Sequence, residues 1–140
     1  MARARLTRSG GSLVLDSQGL SLTAAGDPGM LARLVSARRR DARTVVSAVT
    51  LAGTVRGVPR DAAVDRVVAG ITVVGVDVAI ARAAGRLLGS TGLPGRETTV
   101  DALVAATAMA QPGPIVIVTS DRNDMTLLTA DRNDVTVTVV

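Results

Sequence analysis

Val100-Asp101-Ala102-Leu103-Val104-Ala105-Ala106-Thr107-Ala108 gives way, across Gln111-Pro112-Gly113-Pro114, to Ile115-Val116-Ile117-Val118-Thr119-Ser120-Asp121. An Ala-rich helical pattern stops at a Pro/Gly turn, and a short β-branched run closed by hydroxyls and an acid follows it. The same alternation extends outward along the chain. The spacing predicts strands over 12–15, 43–47, 71–74, 115–118 and 135–139. It predicts helices over 30–39, 50–56, 61–68 and 100–110, a helix capped by Asp77 that runs to Leu88 and stops at Gly89, and a helix over 121–130. Residues 89–99, with Pro94 and three glycines, read as the longest loop. Short Val/Ile/Leu runs separated by helices imply a parallel sheet covered on both faces. The expected architecture is therefore α/β: a three-layer α/β/α domain over residues 1–140, with a central parallel sheet of about five strands. Residues 1–10 are expected to form a flexible arm.

Composition narrows the chemistry. The 140 residues include 16 Arg, 11 Asp and a single Glu (Glu97), for a net charge of +4, and contain no Lys, His, Cys, Phe, Tyr or Trp. Without Cys and His there is no usual zinc site and no Ser-His-Asp or Cys-His nucleophile. Without Lys there is no Walker A motif and no Schiff base, and a phosphorelay receiver or a phosphatase, both of which usually need Lys, is disfavoured. No run approaches the roughly 18 apolar residues of a membrane span, and no signal-peptide core follows Arg3, Arg5 and Arg8, so a soluble cytoplasmic protein is expected. What remains is carboxylates, hydroxyls, amides and Arg. A carboxylate-bound hard cation is the first enzymatic hypothesis.

In open parallel sheets ligands gather at the carboxyl ends of the strands. Asp16 ends the first predicted strand, Asp121 follows the fourth, and Asp101 opens the helix after the long loop. If the first and fourth strands are neighbours, Asp16 and Asp121 lie side by side, and crowded carboxylates are costly unless a cation neutralises them. Mg2+ or Mn2+ suits such an all-oxygen site. Taken singly, Asp101 and Asp121 are also good helix-start residues. The run Arg38-Arg39-Arg40 suits a helix C-terminus, and its sharper reading is a phosphate-contacting, RNA-binding patch. Asp121-Arg122-Asn123-Asp124 recurs as Asp131-Arg132-Asn133-Asp134, where the second copy reads as a solvated turn.

Four segments in order carry a family likeness: Leu13-Val14-Leu15-Asp16-Ser17, Val45-Val46-Ser47-Ala48-Val49-Thr50-Leu51-Ala52, Val100 to Ala108, and Val116-Ile117-Val118-Thr119-Ser120-Asp121. Together they resemble the PIN domain, the ribonuclease fold of VapC-type toxins in bacterial toxin–antitoxin pairs. The resemblance implies a Mg2+- or Mn2+-dependent endoribonuclease that cleaves RNA with a metal-activated water. It also implies a cognate antitoxin as partner and a homodimer. Position by position, Asp16 matches the first family acid, Asp101 the third and Asp121 the fourth, with Asp124 as an accessory metal ligand. The family's second acid, a Glu in the helix after the second strand, is missing, and Gly53 stands in its place. That departure raises a second reading: a catalytically degenerate PIN domain acting as an antitoxin- or RNA-binding module.

Overall fold

In this computed structural model the described residues are 10–140, so the expected arm lies outside them except for Gly10. Five strands, β1 (Ser12–Leu15), β2 (Arg43–Ser47), β3 (Thr72–Val74), β4 (Ile115–Thr119) and β5 (Val135–Val139), form one all-parallel sheet in the order β3-β2-β1-β4-β5. β1 is central and buried along its whole length. It pairs with β2 through Val14 and Val45 and with β4 through Val14 and Ile117. Strand side chains alternate between faces, so β1 feeds two cores. Leu13 and Leu15 join Val46 and Val118 under helices α1 (Ser17–Ala24), α2 (Pro28–Arg39) and α4 (Asp61–Ala69). Val14 joins Val45, Ile115 and Ile117 under α5 (Val78–Thr91), α6 (Gly95–Met109) and α7 (Arg122–Leu128). The short helix α3 (Ala48–Thr54) leaves the carboxyl end of β2 and packs against α1 and α6.

Beyond shifts of one or two residues at element ends, the elements depart from the sequence reading in three places, each with a physical cause. Helix α1 follows β1 directly, in a stretch where the spacing predicts no element. Gly19 argues against a helix by propensity, yet in the fold it is buried, and a Cβ there would stand 3.4 Å from both Leu15 and Val118. A small residue lets α1 lie close on the sheet. Helix α5 runs through Gly89 to Thr91 and is ended by Gly92, whose φ of 70° is the left-handed C-cap conformation. Packing of Ile80, Ala84, Leu87 and Leu88 on the core outweighs the roughly 1 kcal/mol helix cost of Gly89. The predicted long loop shrinks to residues 92–94, because α6 begins at Gly95. Buried Thr98 bonds back to the Pro94 carbonyl.

Without aromatic side chains the cores are filled by branched aliphatics, Met30 and Met125, and by the Ala face of α6. Ala102, Ala105 and Ala108 are fully buried, so α6 approaches the sheet closely and is enclosed on most sides. At the opposite end of β1, Gly11 has φ 92°, and a Cβ there would stand 2.0 Å from the Pro114 carbonyl oxygen. Gly11→Ala is therefore expected to cost about 3 kcal/mol, from backbone strain and a clash with main chain. Urea unfolding checks this, and a change below about 1 kcal/mol would show that the β1–β4 edge can yield.

Candidate metal centre

The order β3-β2-β1-β4-β5 puts the topological switch point between β1 and β4, where chain connections leave in opposite directions and open a crevice. Asp16 leaves β1 there and is the N-cap of α1, its Oδ1 accepting from Gly19 N–H at 2.8 Å. Its Oδ2 accepts from Ser120 N–H at 3.0 Å, across the gap to the end of β4. One carboxylate thus fastens two strand ends and stays half-buried.

Asp121 is set by its own turn. Buried Thr119 Oγ1 accepts from Asp121 N–H at 3.0 Å, and Asp121 caps α7 by accepting from Asp124 N–H at 3.2 Å. Asp124 lies in the first turn of α7. Asp101 comes from the other side. It sits well inside α6, which starts at Gly95, and so is not the helix-opening residue that the sequence suggested. Capping does not account for it.

Carboxylate oxygens of Asp101, Asp121 and Asp124 all lie within 4.8 Å of one another. Asp16 is outside that tight group but close enough for its charge to be felt. The Asp101 carboxyl is pushed above the ordinary carboxylate value, first by burial on the enclosed helix and then by the charges of Asp121, Asp124 and Asp16.

The donor set fits a hard divalent cation. It is all oxygen, carries several negative charges and leaves one side open, as an ion that keeps waters needs. Thr50, one turn before Gly53 on α3, has a fully buried hydroxyl with no hydrogen-bond partner. A Cβ built on Gly53 would come 2.8 Å from Ser17 Oγ, so position 53 faces the start of α1 beside Asp16. Only a rotatable hydroxyl stands in its way. Sequence reading missed Thr119 and Thr50, since neither type is distinctive in a strand end or a short helix.

The structure brings Asp16, Asp101, Asp121 and Asp124 to one edge but does not bring Arg38, Arg39 and Arg40 to them. Those arginines close α2 and precede β2, which places them at the amino-terminal edge of the parallel sheet, opposite the acids. The second copy of the local repeat behaves as a turn, with Asp134 paired to Arg132 at 2.9 Å.

No family model and no curated protein matches the chain. Among solved structures it is similar to a chain in the crystal structure of VapBC2 from Rickettsia felis bound to a DNA fragment from their promoter. The TM-score is 0.63 at 10% identity, over 92% of this chain and 98% of that one. The fold is PIN-like. At that identity the likeness speaks to the fold, in agreement with the strand order and the acid-bearing edge described above. Among the described residues, no helix is long and apolar enough to cross a membrane.

Because the charged form of Asp101 is disfavoured in the folded chain, its ionisation removes stability as pH rises from the ordinary carboxylate value through the raised one. Asp101→Asn is expected to raise the Tm of the metal-free protein at neutral pH. The gain should vanish below about pH 3.9, where the acid is neutral folded or unfolded. Melting in EDTA across pH checks both points, and a lower Tm for the variant at neutral pH would mean that Asp101 has a structural partner.

Proposed function

We propose that the protein is a metal-dependent endoribonuclease of a toxin–antitoxin pair, with Asp16, Asp101, Asp121 and Asp124 at its centre. The observation that carries this reading is the convergence of three carboxylates, with Asp16 beside them, at the switch point of a PIN-like sheet. Asp101, Asp121 and Asp124 would hold Mg2+ or Mn2+. The bound ion would supply charge stabilisation for a phosphoryl oxygen and lower the pKa of a water.

The remaining work falls to the chain itself. Asp16, fixed by Gly19 N–H and Ser120 N–H, holds one acid oxygen pair in place before any ligand arrives. Thr119 sets the direction of Asp121. The N-termini of α1 and α7, capped by Asp16 and Asp121, contribute positive helix-end potential that moderates the crowding of acids. The expected chemistry is hydrolysis of an RNA phosphodiester. The similarity to a VapBC2 complex supports an antitoxin as partner; a homodimer is what the family resemblance implies.

Gly53 supports a second reading, a PIN-like domain that binds antitoxin or RNA without cleaving. A glycine there leaves the α3 side of the centre without a carboxylate.

Mn2+ titration by calorimetry separates ligand loss from fold loss. Wild type is expected to bind one ion, and Asp16→Asn with Asp101→Asn to bind none while melting cooperatively. If neither protein binds, the acids do not form a metal centre. Gly53→Glu is expected to raise Mn2+-dependent RNA cleavage roughly ten- to a hundredfold, the range by which metal-site partners tune activity. Metal binding in both proteins with cleavage in neither would favour the binding module.

A further inference from the structure

The amino-terminal edge of the sheet carries a second charged feature, which the acid centre does not use. Arg38, Arg39, Arg40 and Arg43 are all exposed around the end of α2 and the start of β2. Two grooves flank that helix end. One, of about 370 Å³, is lined by Arg38, Arg43, Thr44 and Thr72 together with apolar and backbone atoms between α2, α4 and β3. The other, of about 350 Å³, is lined by Arg33, Arg40 and Ser36 above Leu13 and Val116. No carboxylate lines either groove. None of the five guanidiniums is paired, because among the described residues the ion pair is Arg132 with Asp134. The hydroxyls of Thr44 and Thr72 are likewise left without a hydrogen-bond partner among the described residues and line the same groove as Arg38 and Arg43.

The helix dipole explains part of this. Arg38 and Arg39 fall in the last turn of α2, where a cation is favoured by roughly 0.3–1 kcal/mol. It does not explain Arg43, which is on a strand, or Arg33, which is in the middle of the helix. Nor does it explain two grooves that each combine two arginines with hydroxyl donors. Asp41 is the one acid among these residues, and it occupies the turn with φ 57°. Gly10, where the described chain begins, lies against the Arg40 carbonyl, and the sequence ahead of it holds Arg3, Arg5 and Arg8.

We propose that this edge is a nucleic-acid backbone site, separate from the acid centre, in which phosphates are taken by Arg38 and Arg43 in one groove and by Arg33 and Arg40 in the other. A lone phosphate would fill one groove. Two basic grooves flanking one helix end suit a polymer with phosphates at regular spacing. With no aromatic ring in the chain, base stacking on side-chain platforms is unavailable, and contacts to phosphate and sugar dominate. Binding should therefore be indifferent to sequence, similar for single-stranded RNA and DNA of equal length, and steeply weakened by salt. It needs no metal and does not depend on whether the acid centre is catalytic.

Fluorescence anisotropy with labelled twelve-nucleotide oligo-U and oligo-dT, in EDTA at several salt concentrations, tests this. Wild type is expected to bind both strands. Arg38→Gln with Arg43→Gln, and Arg33→Gln with Arg40→Gln, should each weaken binding several-fold. The combined variant should lose at least about tenfold, with the slope of log Kd against log salt falling by about 0.7 for each phosphate contact removed. Asp101→Asn with Asp121→Asn should bind as wild type does. The two double variants decide the matter if the combined one melts early. Unchanged binding in both doubles would overturn the proposal. So would a gain in affinity on neutralising Asp101 and Asp121, which would place the strand at the acid edge. Competition by inorganic phosphate beyond that of chloride at equal ionic strength would replace the polymer with a free-phosphate site.

Discussion

The Asp16 carboxylate, shared between Gly19 N–H and Ser120 N–H, is the contact on which the arrangement of this protein turns. It caps the helix that leaves the central strand, and it ties that strand's end to the end of β4 across the crevice where ligands collect. Both bonds are made by an ionised group to backbone donors, which are stronger than neutral pairs. Their geometry holds an acid next to three others. Burial and then crowding have a cost, visible in the upward push on Asp101, and the helix N-termini capped by Asp16 and Asp121 moderate it. Sites that store repulsion in this way trade stability for the capacity to take up charge.

Around that contact the acid edge is built from helices that turn small residues toward the sheet. The buried Ala face of α6 carries Asp101 inward, and Gly19 allows α1 to lie against Leu15 and Val118. The side facing α3 is different. There the chain presents Gly53, a partnerless Thr50 hydroxyl and Ser17 rather than a carboxylate. The molecule is also polar from edge to edge. Acids gather at the carboxyl ends of the strands, and Arg38, Arg39, Arg40 and Arg43 at the amino ends around α2.

Much of the fold was legible because its signals are local. β1, β2 and β5 stand where their apolar runs stand, and β4 extends its run by one residue, to Thr119. The caps at Asp77 and Asp121 follow from residue type. What could not be read was set by packing. Gly19 and Gly89 argue against helix by propensity, and both are helical because the surrounding core fixes the backbone around them. The loop expected at 89–99 shortened to three residues for the same reason, and with it Asp101 moved from a plausible cap to a position that capping cannot explain. The acids Asp16, Asp101 and Asp121 were legible as candidates, since each lies beside a strand end or a helix opening. Arg38 to Arg40 were legible as a basic run, but the edge they occupy was not.

The sequence by itself determined the class of structure and the range of chemistry. Alternating short β-branched runs and helical patterns can bury their apolar faces only as a layered parallel sheet. A chain without Lys, His, Cys or aromatic residues leaves carboxylates and arginines as its chemical groups. Tertiary structure decided which of those groups meet. Only the strand order puts β1 beside β4, bringing residues 16, 101, 121 and 124 to one crevice while sending residues 33–43 to the far edge. The reason is that adjacency between strands distant in sequence is set by how two cores fill on either side of β1. No local pattern along the chain encodes that balance.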